Sequence, residues 1–242
     1  MSTISNIPLA PISFSPAELV PFEDGDHMDV EEFLRRFHAM PEEVQDKFKR
    51  AELIEGVVRM PPISGGSHAG PHSDLDTVVS IYRWATPGLV GGGAASIVLD
   101  VALMPEPDLF LAVDPKFGGR IRIDDRGFIH GPPEWLGEIS NSSVSFDLHT
   151  KKEIYRKFDI KEYAVWRVKE KGIDWFILRG QDYETLPAQD GVYRSETFPG
   201  LWLAATALIA GDFPRVRRVL DEGLNSPEHR LFVEQLAKNH SG

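Results

Sequence analysis

Two apolar runs late in the chain, Tyr163-Ala164-Val165-Trp166-Arg167-Val168 and Ile173-Asp174-Trp175-Phe176-Ile177-Leu178, flank a Lys171-Gly172 step, and that spacing leaves little alternative to a β-hairpin. Trp135 to Ser140 reads as a further strand. Between it and the hairpin, Phe146 to Phe158 reads as a helix, with Leu148, Ile154, Tyr155 and Phe158 available for packing. Upstream, Asp29 followed by Glu32 marks a helix start, the Asp side chain capping free amides, with Val30, Phe33, Leu34 and Phe37 on one face. A short helix is expected from Pro41 to about Arg50, then a strand or Gly-centred hairpin over 51–60. Ser67 to Trp84 places Leu75, Val78, Val79 and Tyr82 at helical spacing. Gly91-Gly92-Gly93 reads as a loop, since it lacks the lysine and helix start of a phosphate-binding loop. Strands are expected from Ile97 to Leu103 and from Asp108 to Val113, joined through Pro105 and Pro107. A charged hairpin turns at Asp124-Asp125-Arg126-Gly127, short edge strands follow Tyr183, and two helices run from Phe213 to about Ala237. Strands first interrupted by helices and then meandering give an α/β (α+β) domain with a mixed sheet flanked by helices.

At 242 residues and 42% hydrophobic content, one core is expected: an N-terminal arm over 1–27, a main domain over 28–210 and a helical extension over 211–242. There is no cysteine, so disulfides and thiolate metal sites are excluded and any metal must sit on oxygen or imidazole. That favours Mg, Mn or Ca. No basic start or long apolar run opens the chain, so the expectation is a cytoplasmic protein with no membrane partner. A formal net charge of -11 argues against coating nucleic acid by charge alone. Between residues 146 and 179, however, nine basic residues face six acidic ones.

Three acids, Glu52, Asp108 and Glu138, interrupt apolar contexts. A buried carboxylate is costly unless it is paired, hydrogen-bonded or bound to a metal. Two readings stand: a structural ion-pair network, or a site for a hard cation, where Mg commonly takes one or two carboxylates and leaves the rest to water and substrate phosphate.

Ala51-Glu-Leu-Ile-Glu-Gly56, Pro107-Asp-Leu109, Gly131-Pro-Pro133 before Glu138-Ile-Ser140, Asp147, Lys151 and Tyr155 at four-residue steps, and Glu162-Tyr-Ala-Val-Trp166 together resemble the Uma2 family (DUF820). This is a bacterial group with the PD-(D/E)XK restriction-endonuclease-like fold, and the resemblance covers about residues 28–190. It implies an endodeoxyribonuclease that hydrolyses DNA phosphodiester bonds with water activated by Mg2+, Mn2+ being a substitute. Asp108 and Glu138 become metal ligands, with the carbonyl of Ile139 a third. Lys151 is the catalytic lysine, moved from the strand position now held by Ser140 to the following helix, with Lys152 its competitor. Glu52 is the upstream acid, or Glu55 in a shifted register. His68 stands where the family often has a histidine, either at the site or in a helix-start hydrogen bond. The chain departs from the family pattern at Ala51, at Gly137 where an aliphatic residue is expected, and in Ser140-Asn141-Ser142-Ser143, the loop that would meet substrate. Two rivals remain: a non-catalytic nucleic-acid-binding or interaction module on the same fold, and a chain acting through its C-terminal helices, where Leu220, Leu231, Phe232 and Leu236 could form a homodimer contact.

Overall fold

The computed structural model describes residues 22–60 and 66–240. The first half carries α1 (Val30–Ala39), α2 (Glu42–Gln45), β1 (Glu52–Ile54), β2 (Val57–Arg59), α3 (Gly66–Ala85), β3 (Leu89–Gly93), β4 (Ile97–Val98), β5 (Leu109–Val113), β6 (Arg122–Ile123) and β7 (Ile129–His130). Then follow β8 (Trp135–Ser140), a π-helical turn (Phe146–Lys151), α4 (Lys152–Lys157), β9 (Glu162–Arg167), β10 (Gly172–Arg179), β11 (Asp182–Thr185), β12 (Val192–Arg194) and β13 (Trp202–Ala204). Helices α5 (Ala205–Ala210), α6 (Phe213–Leu224) and α7 (Pro227–His240) close the chain.

Six strands form one mixed sheet in the order β11-β10-β9-β8-β5-β3. The hairpin read from the two apolar runs is β9–β10, with Trp175 opposite Ala164. β8 and β9 are the parallel neighbours, and a parallel pair needs a crossover, which the π turn and α4 supply. Because side chains alternate across a strand, Leu109, Leu111, Trp135, Ala164 and Trp175 face α3 through Leu75, Val78, Val79 and Tyr82. Phe110, Ala112, Leu136, Tyr163 and Val165 face α4 through Ile154 and Tyr155. The result is the expected mixed sheet with helices on both faces.

Several boundaries differ from the sequence reading for identifiable reasons. Gly91-Gly92-Gly93 is not a loop but part of edge strand β3, paired with Leu111, Phe110 and Leu109. A Cβ at Gly91 would stand 2.7 Å from the Phe110 carbonyl oxygen, so close approach requires glycine there, while one at Gly93 would press on the His72 ring at 3.1 Å. The strand expected from Ile97 to Leu103 stops at Val98, because Asp100 Oδ1 accepts the Ala102 amide at 2.8 Å and closes a turn. The helix expected to Arg50 ends at Gln45. Of the expected N-terminal arm, residues 1–21 lie outside the described residues, while Phe22 stacks on Phe33 at 4.4 Å in a small core with Leu34, Leu53 and Met104. Asp29 caps α1 as read, accepting the Glu32 amide at 2.8 Å.

The C-terminal helices join the main core through Val216, Leu220 and Leu236. Leu220 and Leu236 are therefore spent inside the chain, Phe232 packs beside them, and Leu231 alone of the four named for a dimer contact is exposed, at 65%. Among the described residues no helix is long and apolar enough to cross a membrane.

His229 pins α7 to α3. Its Nδ1 lies 2.8 Å from the Leu224 carbonyl oxygen and its Nε2 2.9 Å from Thr86 Oγ1. Burial pushes its pKa below the ordinary 6.5, against the Leu224 bond, which raises it. The unfolded chain then takes up the proton first, so this contribution to stability is complete above about pH 6.5 and is lost as pH falls toward the folded pKa. Thermal melts of wild type and His229→Gln should show a gap that narrows from pH 7.5 to pH 5.5; a gap independent of pH would contradict the assignment.

Candidate active site

Asp108 stands one residue before β5, after Pro105 and Pro107, which have no amide hydrogen to extend the ladder. Leu109 pairs with Gly137, and one further step of that antiparallel register sets Asp108 opposite Glu138. The pleat puts both on the α4 side of the sheet, the side of Phe110 and Leu136.

Asp108 is held firmly. Its Oδ2 accepts the Ile139 amide at 2.8 Å and its Oδ1 accepts Arg50 Nη2 at 3.1 Å. His68 Nε2 lies 3.2 Å from Oδ1 and 3.3 Å from Oδ2, and His72 Nε2 lies 3.1 Å from the Asp108 carbonyl oxygen. Burial works to raise the Asp108 pKa, but the His68 and Ile139 hydrogen bonds and the charge of Arg50 outweigh it and hold the group below the usual 3.8.

Glu138 has the opposite balance. Its Oε1 accepts from Lys151 Nζ at 2.9 Å and from the Tyr155 hydroxyl at 3.2 Å, while Oε2 has no partner among the described residues. Burial, opposed by Lys151 and reinforced by the charges of Asp108, Asp147 and Glu52, pushes its pKa well above 4.5. Lys151 Nζ also donates to Glu52 Oε1 at 2.8 Å, and that oxygen takes the Glu106 amide at 2.8 Å. Burial alone would lower the Lys151 pKa. The carboxylates of Glu138, Glu52 and Asp147 override it, so the side chain is an ammonium.

Glu52, Asp108, Glu138 and Lys151 are thus brought together, with the Ile139 backbone against Asp108. Lys152 points elsewhere, its Nζ lying 3.7 Å over the Phe176 ring, and Glu55 is exposed in the β1–β2 turn. The even helix expected from Phe146 is instead a π turn up to Lys151. Asp147 is not hydrogen-bonded to Lys151; its Oδ2 accepts from Ser140 Oγ at 2.8 Å and Ser143 Oγ at 2.6 Å. Arg50, Glu106, His72 and this serine pair were not legible as site residues. Arg50 reaches Asp108 across 58 residues, and no local pattern reports such a contact. The serines did carry a signal: Ser140 occupies the strand position left by the lysine, and Ser143 stands one helical step before Asp147.

These groups line a cleft of about 480 Å³. Its wall carries six carboxylates, from Asp24, Glu52, Glu106, Asp108, Glu138 and Asp147, against the permanent cations of Arg50, Arg59 and Lys151. No cluster of three or more histidine or carboxylate side chains converges as a cation cage among the described residues. Mg2+ does not need one, since one or two carboxylates plus water and phosphate suffice. The excess of carboxylates and the unengaged Glu138 Oε2 are compatible with such an ion on Asp108, Glu138 and the Ile139 carbonyl.

A family model described as "Uma2: Putative restriction endonuclease" matches residues 34–206. The chain belongs to the Uma2 family. A solved structure described as a putative nuclease belonging to DUF820, from Anabaena variabilis ATCC 29413, superposes with a TM-score of 0.57 at 19% identity. The match covers 76% of this chain and 98% of that one, and shares the fold. No curated relative matches the chain. Gly137, where an aliphatic residue was expected from the Uma2 pattern, has its reason in the structure: a Cβ there would stand 2.5 Å from the Trp135 indole, which lies over the strand in its place.

Proposed function

We propose that this Uma2 chain is a Mg2+-dependent endonuclease that hydrolyses DNA phosphodiester bonds in the cytoplasm, with Mn2+ able to replace Mg2+. The observation that carries this reading is the convergence of Asp108 and Glu138 at one end and one face of the sheet, with Lys151 bonded to Glu138 at 2.9 Å. The nuclease family and the nuclease-like neighbour support the same reaction class.

The roles follow from the charges. Asp108, kept ionised by its donors, and the Oε2 of Glu138 would hold the ion, with the Ile139 carbonyl beside them. When bound, the ion supplies Lewis-acid polarisation of the phosphoryl oxygen and acidification of the attacking water. Lys151 is charged, so it cannot take a proton at neutral pH. It acts as a fixed donor, orienting the nucleophile and offsetting the charge that develops on the phosphoryl group. Glu52 fixes the ammonium from its other side. No covalent intermediate is required.

The test is direct. Purified protein with plasmid, linear and single-stranded DNA should cut in Mg2+ or Mn2+ and not in chelator. Asp108→Asn and Glu138→Gln should each lower the rate by at least about 100-fold, the size of effect expected when a charge-stabilising group is removed, while far-UV dichroism stays that of wild type. Wild type silent across these conditions while still binding DNA would favour the non-catalytic module instead.

A further inference from the structure

The three permanent cations of the cleft are not equally occupied. Lys151 is spent on Glu52 and Glu138, and Arg50 on Asp108 and Glu106. Arg59 ends β2 and is exposed, and no carboxylate lies within ion-pair distance of it among the described residues. Its place in the hairpin makes this informative. Arg59 pairs in register with Glu52, and directly opposed residues of an antiparallel pair share a face, so an ion pair between them is the expected outcome. Glu52 instead turns its Oε1 to Lys151 and to the Glu106 amide. The guanidinium is left at the cleft wall, on the hairpin that also supplies the buried acid.

We infer that Arg59 is a substrate-positioning residue that binds a phosphate of the nucleic-acid backbone beside the one that is cut. This rests on the phosphodiesterase reading above. An otherwise acidic cleft in a chain of net charge -11 repels a polyanion, so a guanidinium in its wall has a clear use. Its planar fork of donors matches two phosphate oxygens at once, a geometry that lysine lacks. The neighbouring phosphate is the better assignment than the scissile one, because Lys151, Asp108 and Glu138 already surround the reacting position.

The test is binding rather than cutting. A labelled 30-base-pair duplex is titrated with the full chain in Ca2+, read by fluorescence anisotropy at several salt concentrations. Arg59→Ala should raise Kd about tenfold at low salt and reduce the slope of log K against log salt by about one, as loss of one phosphate contact requires. Arg59→Lys should restore the slope and only part of the affinity. In the cleavage assay KM should rise by a larger factor than kcat falls. Thermal stability should equal that of wild type, since the exposed side chain makes no ion pair among the described residues. If wild type cuts DNA and Arg59→Ala binds with unchanged affinity and salt slope, this inference is overturned and the nuclease reading stands. If wild type binds in an Arg59-dependent way but never cuts, the phosphate contact stands and the nuclease reading fails. If wild type binds no duplex under any condition, both fail. Inorganic phosphate at concentrations that displace Ca2+-bound duplex from wild type and Arg59→Ala alike would also count against Arg59, placing the anion at the reacting position instead.

Discussion

Lys151→Met is expected to destabilise the fold by about 3–5 kcal/mol, as when one member of a buried charge cluster is removed and its partners stay behind. Lys151, 5% exposed as a residue, shares its ammonium between Glu52 and Glu138, which are 6% and 4% exposed, so solvent replaces it poorly. Urea denaturation in chelator at pH 7 measures the loss. The deficit should shrink as pH falls. Glu138 already has a folded pKa well above 4.5, and without Lys151 it rises further. The folded state then binds the proton more tightly than the unfolded state, so stability is gained as pH falls through the folded pKa toward 4.5. Mg2+ should recover part of the loss at pH 7 by restoring positive charge to the cluster. A deficit under about 1 kcal/mol, typical of exposed pairs, would mean that water reaches these groups and that the cluster is no preorganised site. Cleavage should be lost in this variant even where Mg2+ restores the fold, because a bound ion does not replace the oriented donor at Nζ.

Glu162→Ala is expected to cost as much for a different reason. Glu162 is fully buried, and its two oxygens accept four donors: the amides of Glu196 and Thr197 at 2.8 Å each, Ser195 Oγ at 2.8 Å and Trp175 Nε1 at 2.9 Å. Burial pushes its pKa above the ordinary 4.5, and these donors pull it only part of the way back. The two amides and the indole N–H can only donate, and Ser195 Oγ already accepts the Phe198 amide at 2.8 Å, so the donor-rich site favours the carboxylate. Removing it strands an indole N–H, a hydroxyl and two amides, each costing about 1–3 kcal/mol when buried without a partner. A loss of about 4 kcal/mol in chemical denaturation is expected, with faster hydrogen exchange over residues 195–198, the link between β12 and β13. Glu162→Gln should fall between, since its amide N–H turns a donor toward a donor. A variant within about 0.5 kcal/mol of wild type, the range of ordinary surface substitutions, would refute this role.

The two clusters show what the sequence could and could not reveal. Apolar runs and helical spacing located β8, β9, β10 and α3 to within a residue or two, because burial on a sheet face or helix stripe imposes a local period. Glu52, Asp108 and Glu138 stood out because an acid in an apolar run is costly. Their convergence followed from no local pattern; the β5–β8 register brings Asp108 to Glu138, and the bridge between Leu53 and Met104 brings in Glu52. Glu162 was read only as the first letter of the Uma2-like segment Glu162-Tyr-Ala-Val-Trp166, since three of its four partners lie 33 to 35 positions away in a segment with no motif of its own. The glycine run was misread because strand propensity measures side chains, and here their absence is what lets α3 and β5 approach. The π turn was missed because four-residue steps suggest an α-helix, and the serine bonds that keep Asp147 off Lys151 are invisible to spacing.

The ammonium of Lys151 meets Glu52 across 99 residues of chain and Glu138 across 13. A short peptide lifted from this protein, even one holding both Glu138 and Lys151, would carry the letters of the motif without its chemistry. Anyone grafting the site onto another scaffold must therefore reproduce an interior strand pair, a crossover and a distant hairpin together, and the smallest portable unit is close to the entire domain.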